Sequence, residues 1–130
     1  MAAVSVRYIV DDMDTAIASY TRHPDFQRIM HPAPSVAMPS RGDLRLLLSS
    51  PSTAGGGGQT MPDGRKPQPG GWNRFELVVS DLAGDVDRLR KAGVHFRNEI
   101  ATGIGGKQIL TDDPSGNPIE LFEPFPYQQR

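Results

Sequence analysis

The chain has 130 residues, enough for one domain with a buried core and no covalent staples. Hydrophobic residues make up 37% and charged residues 22%, and the formal charge is −1 with the basic residues dispersed. That balance excludes a disordered chain and leaves no electrostatic footprint for nucleic acid or an anionic membrane. Cysteine is absent, which excludes disulfides and thiolate chemistry, so a transition metal could draw only on carboxylates and His23, His31 and His95. No run approaches about 18 apolar residues, and Met1–Val10 lacks a basic start followed by an apolar stretch, so a cytoplasmic protein is expected.

Val4–Val10 alternates and is β-branched, and predicts a strand. Asp11 and Asp12 offer an N-cap to a helix carrying Met13, Ala16, Ile17 and Tyr20 at helical spacing, which His23-Pro24 stops. Short strands follow at Phe26–Met30 and Ser35–Met38 with a proline-broken turn at His31–Ser35 between them. Arg41-Gly42-Asp43 is a hairpin turn into the strand Leu44–Ser49. Ser49–Gly71, with Gly55–Gly58 and four prolines, has nothing to bury and predicts a flexible loop or linker. Its glycines are not followed by a phosphate-binding pattern or a helix start. Trp72–Val79 predicts a strand, Ser80-Asp81 a cap, and Leu82, Val86 and Leu89 the buried stripe of a second helix that ends at Gly93. Val94–Ile100 alternates as a strand, Gly103–Gly106 turns, and Gln108–Thr111 and Pro118–Phe122 are strands joined by the turn Asp112–Asn117.

The two halves share one register. Tyr8-Ile9-Val10-Asp11-Asp12-Met13 aligns with Leu77-Val78-Val79-Ser80-Asp81-Leu82, an offset of 69 residues (77 less 8), and the same offset carries Ile17 and Tyr20 onto Val86 and Leu89. The expected fold is α+β: two tandem βαβββ modules forming a curved, cup-shaped mixed sheet with helices on the outer face. One domain is expected over residues 1–130, with module one at about 4–50, the linker at about 51–71 and module two at about 72–124. A cup between repeats suits a small molecule.

Two motifs carry a family resemblance. One is V-x-D-[LM] opening each helix, as Val10-Asp11-Asp12-Met13 and Val79-Ser80-Asp81-Leu82; the other is the closing segment Asp113-Pro114-Ser115-Gly116-Asn117-Pro118-Ile119-Glu120-Leu121. From about Val4 to Pro124 the chain resembles the glyoxalase/bleomycin resistance protein/dioxygenase family, the vicinal oxygen chelate superfamily. The resemblance implies a divalent metal in the enzymes, with ligands seven residues before each helix-capping Asp, a Glu on the last strand and, in some members, a fourth ligand opposite it. Those positions hold Ser5, Arg74, Glu120 and, at about the symmetric place, Leu46. Only Glu120 matches, one carboxylate does not fix a transition metal, and Arg74 would put a cation where the metal belongs. No metal and no cofactor are therefore expected. Each histidine is expected at the surface.

If Ser5, Arg74 and Glu120 face the cup, strand parity brings Arg7, Ile9, Trp72, Glu76, Val78 and Phe122 with them, and Leu46 and Leu48 from module one. The expected ligand-binding residues are Arg7, Leu46, Leu48, Trp72, Arg74, Glu76, Glu120 and Phe122. Aromatic area with fixed charges suits a planar or polycyclic ligand with polar edges, although the charges could equally form a satisfied network in a disused cup. The leading expectation is a metal-independent protein that sequesters an aromatic drug or secondary metabolite. Metal-free bleomycin-resistance-type members imply such a role, as a homodimer. The alternative is an enzyme of natural-product tailoring or detoxification with Glu120 (or Glu76) as base and Arg74 (or Arg7) as anion stabiliser.

Overall fold

The computed structural model describes residues 4–51 and 57–126, and residues 28, 29 and 33 through their backbone alone. Gly55 and Gly56 of the glycine run lie outside the described residues. The chain divides into two compact units, Met1–Gly70 with Pro114–Asn117, and Gly71–Asp113 with Pro118–Arg130. Each carries one helix and one four-stranded mixed sheet, so the fold is α+β and built from two βαβββ modules. No helix among the described residues is long and apolar enough to cross a membrane.

In the first unit, β1 (Val4–Ile9) leads to α1 (Met13–Arg22), then β2 (Gln27–Ala33), β3 (Val36–Arg41) and β4 (Leu44–Ser49), in the sheet order β1-β4-β3-β2. β1 and β4 run parallel, a pairing that needs the intervening elements as a crossover. α1 begins at its Asp12 N-cap and buries Met13, Ala16 and Tyr20 at helical spacing. Past His23-Pro24 the chain turns through Asp25 (φ 61°), a left-handed conformation that Asp tolerates better than most residues. This delivers Phe26 edge-on to Tyr20, ring centres 5.5 Å apart and both rings buried. The turn expected at His31–Ser35 is shorter than that. β2 continues through His31 and Pro32 to Ala33, with register breaks around Met30, and only Pro34 and Ser35 turn. Pro32 is tolerated because β2 is an edge strand, where a missing N–H costs no ladder bond.

The second unit repeats the plan with β5 (Phe75–Val78), α2 (Leu82–Lys91), β6 (Ala101–Thr102), β7 (Gly106–Asp112) and β8 (Pro118–Pro124), in the order β5-β8-β7-β6. Leu82, Val86 and Leu89 are buried, as their spacing predicts, and the chain leaves the helix through Gly93 at φ 85°. Asp81 accepts from the backbone N–H of Gly84 at 3.2 Å, and Glu123 on β8 accepts from that of Leu82 at 2.8 Å. Two of the orphan donors of the helix start are thus satisfied, one by its own cap and one by the sheet beneath. The strand expected over Val94–Ile100 is not formed. Phe96 makes a single bridge to Thr111, and the Asn98 side chain accepts from the Leu110 N–H at 2.9 Å, replacing a ladder bond.

The described part of the linker is not a free coil. Gly58 is buried and lies so close to the Ser50 carbonyl that any β-carbon there would collide with it, and Gly57 stands in the same relation to the Arg7 side chain. Glycine is used here for close approach of backbone to neighbour. At the linker's far end the Gly70 N–H donates to Asn117 Oδ1 at 2.8 Å, and Asn117 Nδ2 donates to the Ile9 carbonyl at 2.7 Å. Ser115 Oγ accepts from the Asp11 N–H at 2.9 Å. The turn 114–117, part of the closing motif Asp113–Leu121, is a fastening of the first unit.

Candidate functional site

Cross-strand register decides which side chains share a face. In the first unit Arg7 pairs with Leu47, and Val6 and Tyr8 pair with Leu46 and Leu48. Tyr8 belongs to the core, and Leu46 and Leu48 lie beside it, both 0% exposed. This corrects the expectation that Leu46 and Leu48 line a binding face: Leu47 and Arg45 are the residues of β4 that share the face of Ser5 and Arg7. The symmetry partner of Glu120 is accordingly Leu47, not Leu46. Arg45 Nε donates to Ser5 Oγ at 3.3 Å, and Arg7 is exposed except where Gly57 lies against it.

The second unit gathers more chemistry. Glu76 on β5 is directly opposite Glu120 on β8, and Val78 is opposite Phe122. Arg74, just before β5, reaches Glu120 Oε1 through Nε at 3.0 Å and Nη2 at 2.9 Å, and donates through Nη1 to the Trp72 carbonyl at 3.1 Å. Glu120 is 9% exposed. Its buried charge therefore has a cation in direct contact, which such a group needs. Trp72 does not lie in the strand as expected but ahead of it, 68% exposed. The Arg97 guanidinium stacks over its ring at 4.7 Å. Arg97 is held in turn by Asp112 Oδ1 at 2.6 Å and by the Gly71 carbonyl at 2.8 Å, and its side chain is 16% exposed. His95 Nδ1 lies 2.8 Å from Asp112 Oδ2, so the histidine expected at the surface is exposed but engaged.

Trp72, Arg74, Glu76 and Glu120 therefore form one connected cluster, with Phe122 two residues along β8 on the same face. Arg97, Asp112 and His95 extend the cluster and were missed by sequence reasoning. In the sequence only the alternation of His95 and Arg97 marks them as sharing one side; that their segment is bridged to β7, the strand that ends at Asp112, is seen in the structure alone.

Two carboxyl groups side by side cannot both ionise freely. Glu76 is pushed up from 4.5 to about 7, first because its carboxyl hydrogen-bonds Glu120, then by partial burial and the Glu120 charge, with Arg74 opposing. Between about 4.5 and about 7 the folded chain thus holds a proton that the unfolded chain has lost. Stability is fully present below 4.5 and falls as pH rises through 7. Glu76→Gln keeps a donor for Glu120 without this penalty. Its melting temperature is expected to match wild type at pH 4.5 and to exceed it by about 2 °C at pH 8, once the shift is discounted for solvent screening. Thermal melts across that range check it, and a gap that does not change with pH would sink it.

The metal that the family resemblance implies does not fit these residues. Arg74 has no lone pair to offer, Leu47 offers only methyl groups, and the Ser5 hydroxyl is engaged by Arg45. The one carboxylate at a ligand position, Glu120, carries two guanidinium contacts on Oε1. Among the described residues no three His, Asp or Glu side chains come together as a donor set.

No curated protein matches the chain. Among solved structures it resembles a member of the glyoxalase/bleomycin resistance protein/dioxygenase superfamily from Sphaerobacter thermophilus (23% identity, 95% of this chain and 97% of that one, TM-score 0.74). It also resembles TnmS3, an antibiotic binding protein from Streptomyces sp. CB03234 (22% identity, 96% and 98%, TM-score 0.71). A lactoylglutathione lyase from Agrobacterium tumefaciens is similar to the same degree (21% identity, 94% and 92%, TM-score 0.71). Identities this low show a shared fold and nothing more. The family model described as Glyoxalase/Bleomycin resistance protein/Dioxygenase superfamily matches residues 3–121, and with the doubled βαβββ architecture this establishes that the chain belongs to that superfamily.

Proposed function

We propose that this protein binds a planar organic small molecule without a metal and holds it unchanged. The role is that of a sequestering protein of the glyoxalase/bleomycin-resistance type, for an aromatic drug or secondary metabolite. The observation that carries the reading is Trp72: an indole 68% exposed to solvent, yet held in place by a part-buried, doubly anchored Arg97. An exposed aromatic ring gives folding only the modest return of its contact with Arg97, whereas a preorganised aromatic surface lowers the cost of binding. Arg74, Glu76 and Glu120 beside it supply oriented polar groups. That one protein of the same fold is described as antibiotic binding supports the reading. In this reading the working form is a cytoplasmic homodimer.

A second reading, an enzyme without metal, is favoured by one observation. Glu76 lies opposite Glu120 with its Arg74 guanidinium, and the hydrogen bond to Glu120 pushes its carboxyl up to about 7. Such a group suits general acid–base work better than Glu120, which is held by Arg74. Thermal shift and mass spectrometry separate the readings. An aromatic ligand is expected to raise the melting temperature in proportion to the logarithm of its concentration and to be recovered unchanged, while Zn²⁺, Ni²⁺ and Mn²⁺ leave the melt where it was. Turnover abolished by Glu76→Gln would favour the enzyme, and stabilisation by a metal that Glu120→Ala removes would overturn the metal-free reading.

A further inference from the structure

The clamp on Trp72 has a chemical polarity. The face of an indole ring is electron-rich and attracts cations. Here that attraction is already used on one side, where the Arg97 guanidinium lies 4.7 Å from the ring centre. Its anchors do not let it swing away, because Asp112 binds Nε and the carbonyl of Gly71, the neighbour of Trp72 itself, binds Nη1. Clamp and platform therefore move together. Asp112 offsets part of the charge, but the guanidinium is the group in contact with the ring.

We propose that Arg97, by stacking on one face of Trp72, makes the opposite face a subsite for anionic or electron-rich aromatic rings and a poor one for cationic rings. The inference rests on the small-molecule reading above and names the ligand class for that site. A second cation on the far side meets a ring polarised toward Arg97 and a like charge behind it, while a negatively charged ring meets an attractive one. The surrounding groups do not reverse this preference at pH 6. Arg74 pairs with Glu120, Arg97 with Asp112 and His95 with the other oxygen of Asp112, and Glu76 is still protonated. Arg97 is thus a specificity-determining residue, and Asp112 a positioning residue acting through it.

Trp72 is the only tryptophan, so its indole N–H gives a single resonance in a ¹⁵N-labelled sample. Titrations at pH 6 and low salt with 2-naphthoate and with 1-methylquinolinium, two-ring probes of similar size and opposite charge, read the preference directly. The naphthoate is expected to bind about five- to tenfold more tightly, as a single charge acting across a stacked ring near a protein surface would give. In Arg97→Gln the two affinities are expected to come within about twofold of each other. Arg97→Lys keeps a cation for Asp112 and guards against a failure to fold; it loses the planar contact, so the preference is expected to shrink there too. Equal affinities in the wild type, or a preference retained in both variants, overturn the inference and leave the small-molecule reading standing. If neither probe moves the resonance, the small-molecule reading at Trp72 fails and the inference falls with it.

Discussion

Replacing Asn117 with alanine is expected to destabilise the folded protein by about 1–3 kcal/mol, the cost of losing two hydrogen bonds from a buried amide to part-buried backbone groups. Asn117 is 3% exposed and serves both functions of its amide, accepting from the Gly70 N–H and donating to the Ile9 carbonyl. Alanine removes the donor and the acceptor at once and gives up the packing of a buried side chain. For a chain of this length the loss corresponds to roughly 5–10 °C in melting temperature. Asn117→Asp isolates one half of the role, since a carboxylate can still accept from Gly70 but cannot donate to Ile9; an intermediate melt is expected. If Asn117→Ala melts within a degree or two of the wild type, the D-P-S-G-N turn is not the fastening described above.

Trp72→Ala is expected to do the reverse: weaken binding strongly and barely touch stability. Aromatic stacking on an exposed platform is worth about 1–3 kcal/mol, so the affinity for 2-naphthoate should fall roughly tenfold to a hundredfold. The ring is mostly in solvent, so its removal costs little packing. Trp72→Phe retains a stacking surface and should recover most of the affinity. Calorimetric titration of the three proteins at pH 6, beside their melting curves, checks the contrast. Unchanged affinity in Trp72→Ala would move the binding site elsewhere.

The sequence carried the repeat in readable form because the features that build it are local. Asp12 and Asp81 start their helices where the 69-residue offset places them, and Leu82, Val86 and Leu89 need only a period of 3.6 to be recognised as a buried stripe. Long-range pairing was less legible. The offset that relates β1 to β5 does not hold for the last strands, where Leu47 corresponds to Glu120 and the separation is 73 residues (120 less 47). Unequal loops within the modules absorb the difference, and a slip of one residue exchanges the faces of a strand. That is why Leu46 and Leu48 fell on the wrong side while Arg74, Glu76 and Glu120, read from their own strands, came together. The segment Val94–Ile100 misled for another reason: its alternation is real, but Asn98 supplies by side chain a bond that a strand would make with its backbone. Arg97 was passed over because nothing in a linear sequence says that a guanidinium two residues from a surface histidine will sit over the ring of Trp72, twenty-five positions earlier (97 less 72).

The turn at 114–117 also governs when the protein can fold during its own synthesis. The first unit takes its last four residues from a point deep in the second half of the chain, and Asn117 reaches back 108 positions to Ile9. A ribosome that has released β1 to β4 has therefore not released a finished unit. The closing residues arrive only after α2 and β7 have been made, and β8 follows them immediately. Contacts of such long sequence separation are slow to form. Both modules are thus committed to nearly the same moment of completion, and a truncation before residue 114 leaves the N-terminal module unlatched as well as the C-terminal one unbuilt.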